Sequence, residues 1–190
     1  MHKIGVLGLQ GSVIEHETVI TRIGHEAVNV RYADQIAGLD AIVLPGGEST
    51  TLGLLLHETG MFEPLRDAIA KGLPVYGTCA GMILLAQRIE GQDWAHLGLM
   101  DILVQRNAYG SQLDSFRTDA VIEPVSDKPI PLVFIRAPYI EECGPKAQSL
   151  CEVNGKIVAA HQDNMLVSSF HPELTGSDEF MEYFVRAFID

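Results

Sequence analysis

The sequence predicts one three-layer α/β domain over residues 1–190, its mainly parallel central sheet flanked by helices, with extra antiparallel strands in the C-terminal half. Three observations predict it. Up to Gly91, short apolar runs alternate with segments of helical spacing, the pattern of βαβ units and a parallel sheet. Beyond Gly91, strand-like runs follow one another with little helix between them. The 190 residues contain no internal repeat, low-complexity tract or linker, and that length fits a single domain.

Ile4 to Leu9 is an apolar run without alternation, hence a strand buried on both faces, ending at Gln10-Gly11. Val13 to Ile23 has apolar side chains at helical spacing, with Ser12 as N-cap before Glu15 and Gly24 as the stop. Ala27 to Val30 reads as the second strand. Ala41 to Leu44 reads as the third, halted by Pro45-Gly46-Gly47. Thr50 to His57 and Phe62 to Lys71 read as helices, Gly72 ending the latter. Val75-Tyr76 opens a fourth strand that runs into Gly77-Thr78-Cys79-Ala80-Gly81, and Met82 to Arg88 continues as an apolar-faced helix. Met100 to Gln105, Ala120 to Ile122, Leu132 to Ile135, Lys156 to His161 and Met165 to Phe170 read as strands. Asn154-Gly155 is a hairpin turn signal, and Asp178 to Ile189 a closing amphipathic helix.

Composition narrows the function classes. With 47% hydrophobic and 20% charged residues the chain is not intrinsically disordered. A globule of this size buries roughly 70% of its unfolded surface and needs no disulfide or structural metal. Thirteen Lys+Arg against 25 Asp+Glu give a net charge of -12, which repels phosphate backbones, so no nucleic-acid partner is expected. No run approaches the ~20 apolar residues of a membrane span. The N-terminal segment lacks the longer apolar core and cleavage site of a signal peptide, so a cytoplasmic protein without a membrane partner is expected. The three cysteines are odd in number and form no framework. No C-x-x-C, H-E-x-x-H or clustered-carboxylate pattern occurs, and no metal is expected.

The chemistry centres on Cys79. Gly77-Thr78-Cys79-Ala80-Gly81, between an apolar strand and an apolar helix, has the form of a nucleophile elbow with Cys in place of Ser. An abrupt strand-to-helix turn crowds the backbone, so Gly is needed at both flanks, and it lifts the side chain above the sheet. The helix N-terminus favours a thiolate, and the Ala80 N–H is placed to donate to an oxyanion. Cys143 and Cys151 lack such a context and read as structural.

A thiolate nucleophile needs a base, and the base an orienting acid. Of seven histidines, His171 in Ser169-Phe170-His171-Pro172-Glu173 is the best candidate: in an extended segment residues two apart share a side, which would put Glu173 beside it. His2, His16, His25, His57 and His96 have no obvious acid partner, and His161 with Asp163 is the one rival. The order Cys, His, Glu differs from the nucleophile, acid, histidine order of α/β-hydrolases.

With these motifs the sequence resembles the class I (triad) glutamine amidotransferases, of flavodoxin-like fold. Gly5-Val6-Leu7-Gly8-Leu9-Gln10-Gly11, Leu44-Pro45-Gly46-Gly47-Glu48-Ser49-Thr50-Thr51 and the cysteine elbow carry the likeness. Arg106-Asn107-Ala108-Tyr109-Gly110, Phe134-Ile135-Arg136-Ala137-Pro138 and Ser169-Phe170-His171-Pro172-Glu173-Leu174 narrow it to the branch serving pyridoxal 5′-phosphate synthases. The resemblance implies hydrolysis of L-glutamine to glutamate and ammonia through a γ-glutamyl thioester on Cys79, with His171 as acid and base and Glu173 holding it. It implies an oxyanion hole from Gly47 and Ala80, and glutamine binding by Gly47, Glu48, Ser49, Arg106, Ile135 and Arg136. Arg106 or Arg136 suits the α-carboxylate on chemical grounds as well. The implied partner is a separate synthase subunit in a large hetero-oligomer, which builds pyridoxal 5′-phosphate from a pentose phosphate and a triose phosphate. That compound is a product of the complex, and no cofactor is implied for this chain. Two stretches depart from the family pattern: Ser111, where a basic residue is usual, and Glu141 to Asn154. Gln10, at the carboxyl edge of the first strand, either hydrogen-bonds near the oxyanion loop or caps a turn.

Overall fold

The computed structural model describes residues 1–106 and 115–190. Asn107 to Gly110 and the departure at Ser111 lie outside the described residues. The chain opens β1 (Lys3–Leu7), α1 (Val13–Arg22), β2 (Glu26–Val30), β3 (Ala41–Leu44), α2 (Ser49–Glu58), α3 (Phe62–Ala70), β4 (Val75–Thr78) and α4 (Ala80–Leu85). It continues β5 (Ala86–Ile89), β6 (Met100–Gln105), β7 (Ser115–Ile122), β8 (Ser126–Ile135), β9 (Tyr139–Cys143) and β10 (Gln148–Val153). It ends with β11 (Lys156–Gln162), β12 (Met165–Ser168), a 3₁₀ turn at Pro172–Leu174 and α5 (Glu179–Phe188).

The large sheet has the order β2-β1-β3-β4-β12-β11-β9-β6-β5, with β10 beside β11. From β2 to β12 every pairing is parallel. Beyond β12 the sheet turns antiparallel through β11, β9 and β6, and β7 with β8 forms a separate ribbon. All four residues of β3 are buried because the sheet is covered on both faces. Ile42 and Leu44 join one core with Leu52, Leu56, Leu65 and Met82 from α2, α3 and α4. Ala41 and Val43 join another with Val19, Ile20, Phe180 and Phe184 from α1 and α5. Two cores on opposite faces of one sheet are the expected three layers.

This topology positions the site. In the parallel register Leu44 pairs with Gly77 and Thr78 with Ser168, so the carboxyl ends of β3, β4 and β12 emerge side by side. Each delivers one motif: Pro45-Gly46-Gly47, Cys79 and His171. β1, beside β3, delivers Gln10 to Ser12 to the same edge.

Several elements differ from the sequence reading. β1 ends at Leu7, not Leu9, and β12 at Ser168, not Phe170. The helix expected over Met82 to Arg88 ends at Leu85, where Ala86 turns extended and β5 begins. The Leu97 and Leu99 N–H groups take the Leu84 and Leu85 carbonyls at 2.9 Å, and β6 pairs with Arg88 and Ile89. Tertiary pairing overrides the apolar helical pattern there. β9 and β10 fill the stretch from Glu141 that had no assignment. β7 and β8 run longer than the apolar residues suggested, since Pro129 and Pro131 are tolerated in a strand with one neighbour. Asn154 and Gly155, at φ 53° and 73°, form the expected two-residue turn between β10 and β11.

Candidate active site

Cys79 sits between β4 and α4 at φ 51° and ψ -101°, a conformation that costs a non-glycine residue about 1–3 kcal/mol. Close packing enforces it. A Cβ added at Gly77 would lie 2.7 Å from the Gly81 carbonyl, and one at Gly81 would overlap the Leu44 carbonyl oxygen. Only glycines allow β3, β4 and α4 to approach this closely. The Cys79 N–H donates to the Ser168 carbonyl at 2.7 Å, tying the elbow to β12.

His171 leaves β12 with its N–H bound to the Val133 carbonyl at 2.8 Å. Its ring passes over Gly46, where an added Cβ would collide with it. Nδ1 lies 2.7 Å from Glu173 Oε1, and Cys79 stands near enough to favour the charged ring. Burial pushes the imidazole toward its neutral form, but neighbouring Cys79 and the bond to Glu173 outweigh it and raise His171 to about 10. The pairing of His171 with Glu173 holds, with a geometry other than the extended one that alternation predicts. Pro172–Leu174 is a 3₁₀ turn rather than an extended segment, and the turn brings the carboxylate back under the imidazole. The rival His161 is on β11, and Asp163 lies in the turn at the amino end of β12, opposite the site. Burial raises the Cys143 thiol and raises Cys151 to about 11, which suits the structural role expected of both.

A cleft of about 610 Å³ opens over Cys79 and His171. Gly47, Glu48, Ser49, Arg106, Ile135 and Arg136 all line it, as do Ala80 and Gln10. Glu48 caps α2, accepting the Thr50 and Thr51 N–H groups at 3.0 and 2.7 Å. Burial works against its charge, yet the Thr51 hydroxyl, donating at 2.8 Å, and these backbone bonds lower it to about 2, so it is an anion at the cleft mouth. The Arg106 guanidinium lies 3.7 Å from that carboxylate and 3.3 Å from Thr50 Oγ1. Arg136 adopts φ 42°, a second strained non-glycine backbone in the site.

Gln10 meets the first of its two readings. Its Oε1 accepts the Glu48 N–H at 2.9 Å, in space left by the missing side chain of Gly47. The Ser12 N–H holds the Gly46 carbonyl at 2.9 Å. Residues 10–12 thus grip the loop carrying Gly47.

The sequence reading missed two contributors. Ser12 makes no side-chain cap to α1; its hydroxyl instead donates to Glu173 Oε1 at 2.9 Å. His16, set aside for want of an acid partner, is fully buried with Nε2 3.5 Å from that same oxygen. Their four-residue spacing on one helix face was the available signal. Nothing local linked that face to Glu173.

Among the described residues no group of His, Cys, Asp and Glu could hold a metal ion, and no helix is long and apolar enough to cross a membrane.

Known proteins share this arrangement of sequence and fold. Residues 6–190 match the model of the SNO glutamine amidotransferase family. A pyridoxal 5′-phosphate synthase subunit PdxT from Clostridium beijerinckii is 54% identical over 185 residues, covering 97% of each chain. One from Carboxydothermus hydrogenoformans is 52% identical, covering 97% of this chain and 96% of its own. A solved glutamine amidotransferase superposes with a TM-score of 0.91 at 40% identity, over 96% of this chain and 97% of its own. PurLQS from Thermotoga maritima, at 16% identity and TM-score 0.73, shares the fold.

Proposed function

The chain belongs to the SNO glutamine amidotransferase family, and we propose that it is the glutaminase subunit of a pyridoxal 5′-phosphate synthase, releasing ammonia from L-glutamine for vitamin B6 biosynthesis. The observation that carries the reading is Cys79 and His171 together in a cleft edged by Glu48 and two arginines, with the buried Glu173 carboxylate 2.7 Å behind His171 Nδ1. Glutamine's ammonium suits the Glu48 anion, and its α-carboxylate suits the guanidinium of Arg106 or Arg136. Ser49 and Ile135 complete the walls.

In this proposal the Cys79 thiolate attacks the side-chain amide carbon, and a carbon–sulfur bond forms while the carbonyl oxygen takes negative charge. Gly47 and Ala80 N–H groups receive that charge. Nδ1 of His171 is committed to Glu173, so Nε2 donates its proton to the amide nitrogen. The carbon–nitrogen bond breaks, ammonia leaves, and a γ-glutamyl thioester remains. The raised His171 suits this step, because the ring is protonated when it must act as an acid. In the thioester the sulfur carries no charge, so its support for imidazolium disappears and burial pulls His171 back down. The ring then accepts a proton from water, whose oxygen attacks the thioester and returns glutamate and the thiolate. Protein groups and water suffice; no cofactor enters.

Ammonia would be used by a synthase subunit bound in a hetero-oligomer in the cytoplasm. The test is glutamate release from L-glutamine, with and without a pyridoxal 5′-phosphate synthase subunit, for wild type and Cys79→Ala. Glutaminase activity that this subunit switches on, and that Cys79→Ala abolishes, supports the reading. Glutamine hydrolysis indifferent to this subunit but stimulated by another ammonia acceptor reassigns the partner. No hydrolysis under any of these conditions ends the proposal.

A further inference from the structure

The Glu173 side chain is 1% exposed, and a buried carboxylate stays ionised only where donors surround it. His171 Nδ1 at 2.7 Å and Ser12 Oγ at 2.9 Å supply two, both to Oε1. A third group faces this oxygen from α1. His16 Nε2 lies 3.5 Å from Glu173 Oε1 and 3.1 Å from the hydroxyl of Thr78, the residue before the nucleophile. The His16 ring has no exposed surface and stands edge-on to Tyr76, with centroids 6.4 Å apart.

The tautomer follows from the surroundings. Burial lowers His16, with Glu173 opposing and His171 reinforcing, so the ring is neutral and one nitrogen carries the proton. Nδ1 has no hydrogen-bond partner among the described residues. A proton there would be buried unpaired, while the Nε2 lone pair faced a carboxylate. A proton on Nε2 points toward Glu173 and Thr78 and leaves only a lone pair unmatched.

We infer that His16 is a positioning residue for the glutaminase reaction, its Nε2–H bracing the Glu173 carboxylate and tying it to the strand that carries Cys79. The contacts run from His171 to Glu173, from Glu173 to His16 and from His16 to Thr78, whose peptide bond leads to Cys79 in the same cleft as His171. The base is thereby referenced to the strand of the nucleophile as well as to its own turn. His16 does not line the cleft, so it acts on glutamine only through Glu173 and His171. The titratable groups facing the pair are His171 on the C-terminal turn, Glu15 on α1 and Tyr76 on β4, with Cys79 beyond His171.

The inference rests on the glutaminase reading, and its test keeps the two apart. Wild type, His16→Leu and His16→Gln are assayed with the synthase subunit across pH, and an affinity label on Cys79 counts competent sites. Leucine fills space without a donor; the glutamine amide places an N–H near the position of Nε2. Per labelled site, His16→Leu should lower kcat roughly tenfold, as expected for losing a polar group that faces a buried charge where water cannot replace it, with the glutamine KM within about twofold. The acid limb of its kcat profile should move to higher pH, because a less supported carboxylate takes up a proton sooner. His16→Gln should return kcat to within roughly threefold of wild type and restore the limb. Wild-type kcat and limb in His16→Leu overturn the inference; so does equal impairment of both variants with an unmoved limb. Should wild type release no glutamate, the glutaminase reading falls instead, and ¹⁵N imidazole shifts still read the brace. A neutral ring protonated at Nε2 near neutral pH supports it, and an Nδ1-protonated or charged ring contradicts it.

Discussion

At the nucleophile, the restraints are backbone contacts, and the motif that makes them spans five residues. Gly77 and Gly81 let β3, β4 and α4 close on one another, and Cys79 is forced to φ 51°. At the base, the restraints are side chains brought from afar: Ser12 reaches Glu173 across 161 positions, and His16 stands one helical turn further along α1. The elbow is therefore all or nothing, whereas the acid end is supported by several donors that can be removed singly. A site of this kind fixes its reacting atom by packing and adjusts its proton chemistry by polar contacts.

Five substitutions or titrations break or sharpen that contrast. Gly81→Ala should have the largest effect, since its Cβ meets backbone that cannot yield; a loss of roughly 3 kcal/mol or more in denaturant unfolding is expected. A stable, active Gly81→Ala protein would show that packing does not set the elbow. Next comes Glu173→Gln, which keeps shape but removes the charge that holds imidazolium; kcat should fall on the order of 10²-fold or more with the fold intact by circular dichroism. Gln10→Ala removes the acceptor of the Glu48 N–H, and synthase-stimulated glutaminase should drop several-fold. Unchanged activity would reduce Gln10 to a turn cap. Ser12→Ala removes a donor that borders the open cleft, where water can take its place, and its expected loss in kcat is about threefold, from roughly 0.5–1 kcal/mol. Stability against pH tests the same end of the site by titration. His171 is raised from 6.5 to about 10, so its stabilising contribution is whole below pH 6.5 and is lost as pH rises through about 10. The urea midpoint should fall over that window in wild type and fall less in His171→Gln.

The same contrast explains what could be read from sequence. The elbow is local, so its glycines and its strand-to-helix setting are visible in five letters. The parallel half of the sheet was visible too, because strands buried on both faces appear as unbroken apolar runs such as Ala41 to Leu44. His171 with Glu173 is legible by proximity in sequence, although a 3₁₀ turn joins them where strand alternation predicts an extended segment. What local pattern could not show was tertiary. Ser12 looked like a helix cap and His16 like an orphan, because their shared partner lies at the other end of the chain. Met82 to Arg88 looked helical throughout, because the groups that end the helix at Leu85 belong to residues 97–104. The cleft brings together every residue expected to bind glutamine: Gly47, Glu48 and Ser49 follow β3, Arg106 follows β6, and Ile135 and Arg136 stand at the end of β8.

Whether one sulfur carries the substrate can be observed directly. Turnover of L-glutamine with the synthase subunit present, quenched in acid and followed by peptide mass spectrometry, should find a γ-glutamyl adduct on Cys79 that accumulates in Glu173→Gln. Glutamate released with no adduct at Cys79, or with the adduct on Cys143 or Cys151, would contradict the account.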